Sequence, residues 1–339
     1  MSHHLSILIP TFNRAADLGR TLEEFTRLDA GSLTFEAVII DNNSSDNTRE
    51  VVKSFADRLP VRYLYQPEAG KNRALNLALD EAELGDIIVF ADDDITPVPQ
   101  WLQAIAATCD RWPDHAMFGG KIDIVWPIDD LPTWVEDPGI RAFAFAAHDY
   151  ADEEKEYEGR HVPFGPNYWV RSSVFEDGRR FNEAIGPQPK NRIMGDETLF
   201  MRAFVDEGNR VVYSPDAAVG HRIQKEMVTY EGVMNRAHQF GRTVTHLLGV
   251  EQQELLDRQP ILWWIVRSAA VVRCALRYWV GKLVSSPARK VPRAVRHLRD
   301  LSHQLESMRL AWSGDAGAAV SPVVYPNRSE PTVTGVTGK

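Results

Sequence analysis

Between residues 5 and 94 four short strand-sized runs alternate with three segments of helical spacing. Leu5–Pro10, Phe35–Ile40, Val61–Tyr65 and Asp86–Phe90 are apolar and strand-sized. Three segments between them space their apolar residues as helices do: Asp17–Leu28 (through Leu18, Leu22, Phe25), a stretch from Asp46 or Asn47 to about Arg58, and Asn72–Ala82. Strands alternating with helices predict a parallel sheet covered on both faces. The predicted class is α/β, Rossmann-like, with a mixed and mostly parallel sheet flanked by helices.

Ligands of such sheets bind at the carboxyl ends of the strands. Three polar clusters fall there: Thr11-Phe12-Asn13-Arg14, Asp41-Asn42-Asn43-Ser44-Ser45-Asp46 and Asp92-Asp93-Asp94. Adjacent carboxylates repel one another unless a cation lies among them, and Mg²⁺ or Mn²⁺ prefers hard oxygen ligands. The triplet therefore reads as a divalent-metal site or, more simply, as a solvated turn or helix cap. Asp41 suits either an imino NH of a nucleobase or an Asx-turn. Gly70-Lys71-Asn72-Arg73 opens a helix, where backbone amides and basic side chains attract phosphate, although surface charge explains it equally. Within it, Arg73 is the stronger candidate for nucleotide contact.

Further along, Lys121–Val125 reads as a strand and the acidic 149–160 stretch as a mobile surface loop. Asp196 and Glu197 start a helix to about Asp206; one suits a cap and the other a general base. Arg210–Tyr213 reads as a strand and His221 follows it, as a structural histidine or a metal ligand. From Glu226 to about Leu310 only helices are expected. Residues beyond Ser313 are rich in Gly, Ser, Thr and Pro and read as disordered.

Charge is unevenly placed. Residues 1–266 hold 26 basic against 43 acidic residues, whereas 267–309 hold ten basic against two acidic. An acidic body with a basic helical end does not suit nucleic acid. Ile261–Val284 carries Trp263, Trp264, Tyr278 and Trp279 among apolar runs broken by Arg267, Arg273, Arg277 and Lys282. Such a segment does not span a bilayer but suits an anionic membrane surface, or packs on the catalytic domain with its arginines paired. Neither a signal peptide nor a disulfide between Cys109 and Cys274 is expected, which points to the cytoplasm and the cytoplasmic membrane face.

Taken together, SILIPTFNRAADLGRTLEEF, VIIDNNSSDNT, GKNRALNLAL, VFADDDITP, PFGPNYWVRSSVF and GDETLF resemble glycosyltransferase family two, over roughly residues 4–245. The resemblance implies a GT-A fold and inverting, metal-dependent transfer of a sugar from a nucleoside-diphosphate sugar to a glycan hydroxyl, including a lipid-linked one. It implies Thr11 and Asp41 at the base, Arg73 at the base or diphosphate, and Asp92 and Asp94 as the ends of an Asp-any-Asp motif. Pro10, Asn13, Arg14, Asn43, Lys71 and Asp93 complete the expected nucleotide-sugar surface. Gly165 and Asn167 would line the donor-sugar and acceptor pocket. Asp94, Asp92 and His221 form the candidate metal set. Asp196 and Glu197 fall on the family's acidic pair in reversed order; Glu197 is favoured as the base, with Asp196 second. The expected division is a catalytic domain over 1–225 (nucleotide half about 1–120, acceptor half about 121–225), helices over 226–312 and a tail over 313–339. No Gln-x-x-Arg-Trp stretch follows the acidic pair, which disfavours a processive synthase. A sugar-1-phosphate nucleotidylyltransferase is the enzymatic rival, and a non-catalytic nucleotide-sugar binder the other.

Overall fold

The computed structural model describes residues 3–186, 195–248, 253–284, 287–313 and 323–325. In chain order the elements are β1 (His4–Thr11), α1 (Ala15–Phe25), β2 (Thr34–Asp41), α2 (Thr48–Ser54), β3 (Val61–Tyr65), α3 (Lys71–Glu81), β4 (Ile87–Ala91), β5 (Ile95–Pro97), α4 (Trp101–Arg111) and β6 (Met117–Val125). They continue with α5 (Pro138–Phe145), β7 (Lys155–Glu156), β8 (Asn167–Arg171), β9 (Arg180–Phe181), α6 (Asp196–Asp206) and β10 (Val211–Arg222). The last are α7 (Tyr230–Leu248), α8 (Gln253–Arg258), α9 (Pro260–Val284), α10 (Pro287–Ser313) and β11 (Val323–Val324).

The main sheet runs β3-β2-β1-β4-β8-β6-β10-β5, with β7 on β10. β1 to β4 are parallel, and β8 enters antiparallel between β4 and β6. Successive strand residues serve opposite layers, as a period of two requires. Leu5, Ile7 and Ile9 of β1 meet one cluster with Leu18, Leu22 and Phe25 of α1, while Leu8 meets the other with Leu75 and Ala78 of α3. Both faces are buried, so the strands read as continuous apolar runs. Each such side chain contributes about 1.5–3 kcal/mol on burial. A charge at Ile39, wholly buried in β2, would break one layer.

Local chemistry fixes where the helices begin. Asp46 accepts from the Ala15 amide at the start of α1, and from both the amide and the hydroxyl of Thr48 at the start of α2. One carboxylate thus serves two orphan helix ends. Burial would raise its pKa, but these hydrogen bonds lower it on balance.

A third cluster joins the helical region to the sheet body: Trp134, Phe145 and Ile223 pack with Val233, Ala237, Ala294 and Val295. α7 and α10 approach closely at Gly241, where an added Cβ would lie 2.2 Å from the Arg299 carbonyl oxygen. No described helix is long and apolar enough to cross a membrane.

Two expectations need correction. The acidic 149–160 stretch is anchored: Glu154 accepts from Arg111, Trp112 and Thr108, and Glu156 pairs with His115 and Arg210. Its acids have specific cationic and donor partners, and Tyr157 is buried. The tail is also partly ordered, because Val323–Val324 pairs with β9 and Tyr325 packs under the Arg179 guanidinium. The remainder of the expected tail lies outside the described residues.

Candidate active site

The carboxyl ends of the parallel strands meet in register. Thr11 stands beside Asp41, Asp41 beside Tyr65, and Ala91 beside Asn167. The acidic triplet follows β4 directly. His221, expected after a short strand, lies within β10 and opposite Ile95, because β10 runs on from Val211 to Arg222. This pairing brings a residue over a hundred positions away onto the triplet. One ligand atom each from Asp92, Asp94 and His221 lie within 4.8 Å of one another.

The set fits a hard divalent cation. His221 Nδ1 lies 2.8 Å from the Phe145 carbonyl. A carbonyl only accepts, so Nδ1 carries the proton and Nε2 faces Asp94 Oδ1 at 3.3 Å. That oxygen is buried and receives no aligned hydrogen bond. Burial opposes protonation of His221, yet the Asp94 charge more than offsets it and raises its pKa. Burial would likewise raise Asp94, but His221 and Arg14 hold it well below the carboxylate range. Two carboxylates, one of them with an orphaned buried oxygen, and an oriented imidazole suit Mn²⁺ or Mg²⁺.

Arg14 secures the triplet from below, with one nitrogen 2.7 Å from Asp93 and another 2.8 Å from Asp94. The Thr11 hydroxyl donates to Asp93 at 2.7 Å. Burial pushes Asp93 up to about 7 even so. Thr11 and Arg14, expected on the nucleotide surface, are thus spent on the triplet. Asp41 is 3% exposed and accepts from the Ser44 amide and the Tyr63 hydroxyl. Asn13 and Asn43 hold left-handed backbone at φ 52° and 67°, and their side-chain oxygens accept from Ser45 and Tyr65.

Lys71, not Arg73, reaches the acids. Its ammonium lies 3.0 Å from Asp92 Oδ1 and bonds Glu197. Arg73 is turned away and pairs with Glu68 and Glu183. Pro10, Lys71, Asp92, Gly165, Tyr168 and Glu197 line one small cavity. Gly165 belongs there for steric reasons, since a Cβ would stand 3.0 Å from Glu197 Oε1. Asn167 does not line it. It is fully buried, accepts from the Trp101 indole and donates to the Lys121 and Ala217 carbonyls. Those bonds tie β8 to its neighbours.

The acidic pair splits. Burial would raise Glu197, but Lys71 lowers it to about 2. Asp196, buried and next to Glu197, is pushed well above the carboxylate range. Among the described residues no donor satisfies either Asp196 oxygen, which suits a carboxyl able to donate to its neighbour. Both acids sit in the first turn of α6 behind Gly195.

The sequence reading missed Arg222. Its guanidinium donates to the carbonyls of Asp17, Ile95 and Asp93 and to the hydroxyls of Thr21 and Thr96. A lone arginine after His221 gives no signal of burial, so only the tertiary fold reveals it.

This sheet, with its acidic turn after β4 and helical end, is the GT-A fold. A mannosyltransferase from Pyrobaculum calidifontis, solved with GDP-Man and Mn²⁺, aligns over 92% of this chain and 88% of its own at a TM-score of 0.53 and 17% identity. Residues 6–177 match the family described as glycosyl transferase family 2, and the chain belongs to it. Glycosyltransferase AglE of Haloferax volcanii is 24% identical over 64% of this chain and 66% of its own length. A validoxylamine A glucosyltransferase of Streptomyces hygroscopicus is 38% identical over 30% of this chain and 25% of its own. The chain thus spans less than two thirds of these curated relatives.

Proposed function

We propose that the protein is an inverting glycosyltransferase. It moves a sugar from a nucleoside-diphosphate sugar to a glycan hydroxyl, including one carried on a lipid, and uses Mn²⁺ or Mg²⁺. One observation carries the reading: the Asp92–Asp94–His221 set borders the Lys71–Glu197 pair, with Asp92 common to both. A charge-neutralising centre for a diphosphate and a candidate base therefore share one cavity.

A cation held by Asp94, Asp92 and His221 would supply charge neutralisation to the departing diphosphate. Lys71 is the second cation within reach of that group. As the donor's diphosphate takes up Lys71, Glu197 loses the partner that depresses its pKa. Its basicity then rises when an acceptor hydroxyl needs deprotonation, which suits a general base. Asp196, 2% exposed and raised by burial, supports Glu197 and is not the base. Arg14 is locked onto Asp93 and Asp94 and faces no phosphate loop, which disfavours the nucleotidylyltransferase alternative.

The test is a panel of nucleotide sugars with purified protein, acceptor extracts and Mn²⁺. Free nucleoside diphosphate should appear, and only with the cation. Pyrophosphate as product, or undiminished release in excess chelator, would sink the reading.

A further inference from the structure

α9 is apolar on two opposite sides. One side is used: Trp263, Ala270, Cys274 and Gly281 are buried, and Arg267 turns inward to Gln304. Trp263, expected at a membrane, instead packs edge-on against Trp264 and beside Leu310. The opposite side is largely exposed among the described residues. Ile261, Ile265, Val272, Leu276, Trp279 and Leu283 are each more than half exposed, up to 81% at Leu283. At 100° per residue these six fall within roughly 60° of the helix circumference, and at 1.5 Å rise they run for about 33 Å. A helix apolar all round is normally covered on every side. A stripe this long and continuous marks a contact surface.

Charge decides what covers it. α9 contains no acidic residue. Arg273 and Arg277 lie about 60° and 100° beyond Leu276 round the helix, on the flank between the stripe and the buried side. No carboxylate pairs with them, nor with Arg289, Lys290 or Arg296 of α10, among the described residues. Cations of the two helices converge: burial lowers the His297 pKa, Asp300 raises it, and Arg277, Arg296 and Arg293 all lie near enough to lower it further. Gly281 of α9 faces the same ring, where a Cβ would stand 3.5 Å from it. A second copy docked antiparallel about Val272 would set Arg273 against its mate with no acid between them. An anionic surface meets the same flank with opposite charge.

The geometry points to an anionic lipid surface as the occupant: α9 lies in the membrane plane with Ile265, Val272, Leu276 and Trp279 in the acyl boundary and Arg273 and Arg277 among the phosphates. This inference is independent of the sugar-transfer reading, which is scored by nucleotide release without vesicles.

The experiment is flotation of the full chain with phosphatidylglycerol-containing vesicles, pure phosphatidylcholine vesicles, and each at low and high salt. The chain should float with the anionic vesicles at low salt and be largely released by high salt or by neutral lipid. Val272→Glu/Leu276→Glu changes exposed side chains only. It should weaken partitioning by roughly tenfold or more while melting temperature and nucleotide binding hold. Arg273→Glu/Arg277→Glu should weaken binding to anionic vesicles alone. Three outcomes overturn the proposal: the intact chain ignores anionic vesicles at low salt, the Val272→Glu/Leu276→Glu variant floats as well as the parent, or the chain forms a stable dimer that this variant splits. The last would make the stripe a self-interface.

Discussion

Two acidic centres share the cavity, and each pairs one ionised carboxylate with one pushed toward its proton. At the turn after β4, Asp94 stays ionised while Asp93 is raised; at the start of α6, Glu197 stays ionised while Asp196 is raised. Each has one basic side chain, Arg14 for the first and Lys71 for the second. They differ in how that cation is held. Arg14 is also fixed by Asp17, and its carboxylates are braced by Thr11 and His221. Among the described residues Lys71 has only the two carboxylates it bridges. Arg14 is the more firmly held of the two cations.

The comparison breaks most visibly at Asp94. Asp94→Asn removes the oxygen charge that His221 and Arg14 surround, and cation-dependent turnover should fall at least roughly a thousandfold in nucleotide-release assays. Glu197→Gln should cost about 10²–10⁴ in kcat with donor affinity nearly unchanged. Asp196→Asn replaces a carboxyl already protonated and should stay within roughly tenfold of the parent. If Asp196→Asn is the crippling change and Glu197→Gln is active, the roles of the pair are reversed.

Lys71→Met sharpens the contrast through pH. Glu197 is depressed to about 2 by Lys71, so it stays ionised throughout the physiological range. Without Lys71, Glu197 loses the largest influence that opposes burial and its pKa rises. The acid limb of kcat/KM should then move to higher pH, with activity lost at pH 5–6 before pH 8. The stability sign follows too. A depressed carboxylate stabilises the fold above its unfolded pKa, and that contribution fades as pH falls through the folded value. The parent should lose this part of its stability between about pH 4.5 and 2, and Lys71→Met should not show it. The smallest effect on chemistry belongs to Asn167→Ala. It strips partners from the Trp101 indole and two carbonyls, so stability should drop by about 1–3 kcal/mol in thermal melts, with the KM for donor unmoved.

β1, β2 and β4 were legible because their residues are largely apolar on both faces, whereas edge strand β3 carries Arg62 and an exposed Tyr65; the acidic turn was legible because it follows β4. The α6 acids were legible from their place before a helical run. What stayed hidden depends on pairings far apart in sequence. β8 enters between β4 and β6, and this turns Asn167 from a pocket residue into a strut. Lys71 and Arg73 lie two residues apart and point to different partners, a difference of helix phase that composition cannot reveal. The basic aromatic segment 261–284 was recognisable as amphipathic, yet which tryptophan faces outward was decided by packing against Leu310.

Arg222 has a consequence for how the protein comes apart. Its guanidinium spans 205 residues to the Asp17 carbonyl and also holds the carbonyls of Asp93 and Ile95. Opening α1, the acidic turn or the end of β10 alone would strip partners from that half-buried charge. Partial opening at this edge is therefore nearly as costly as opening all three segments together. The amides around the triplet should exchange with solvent in one cooperative step, and the cation-binding geometry should persist until the sheet itself unravels.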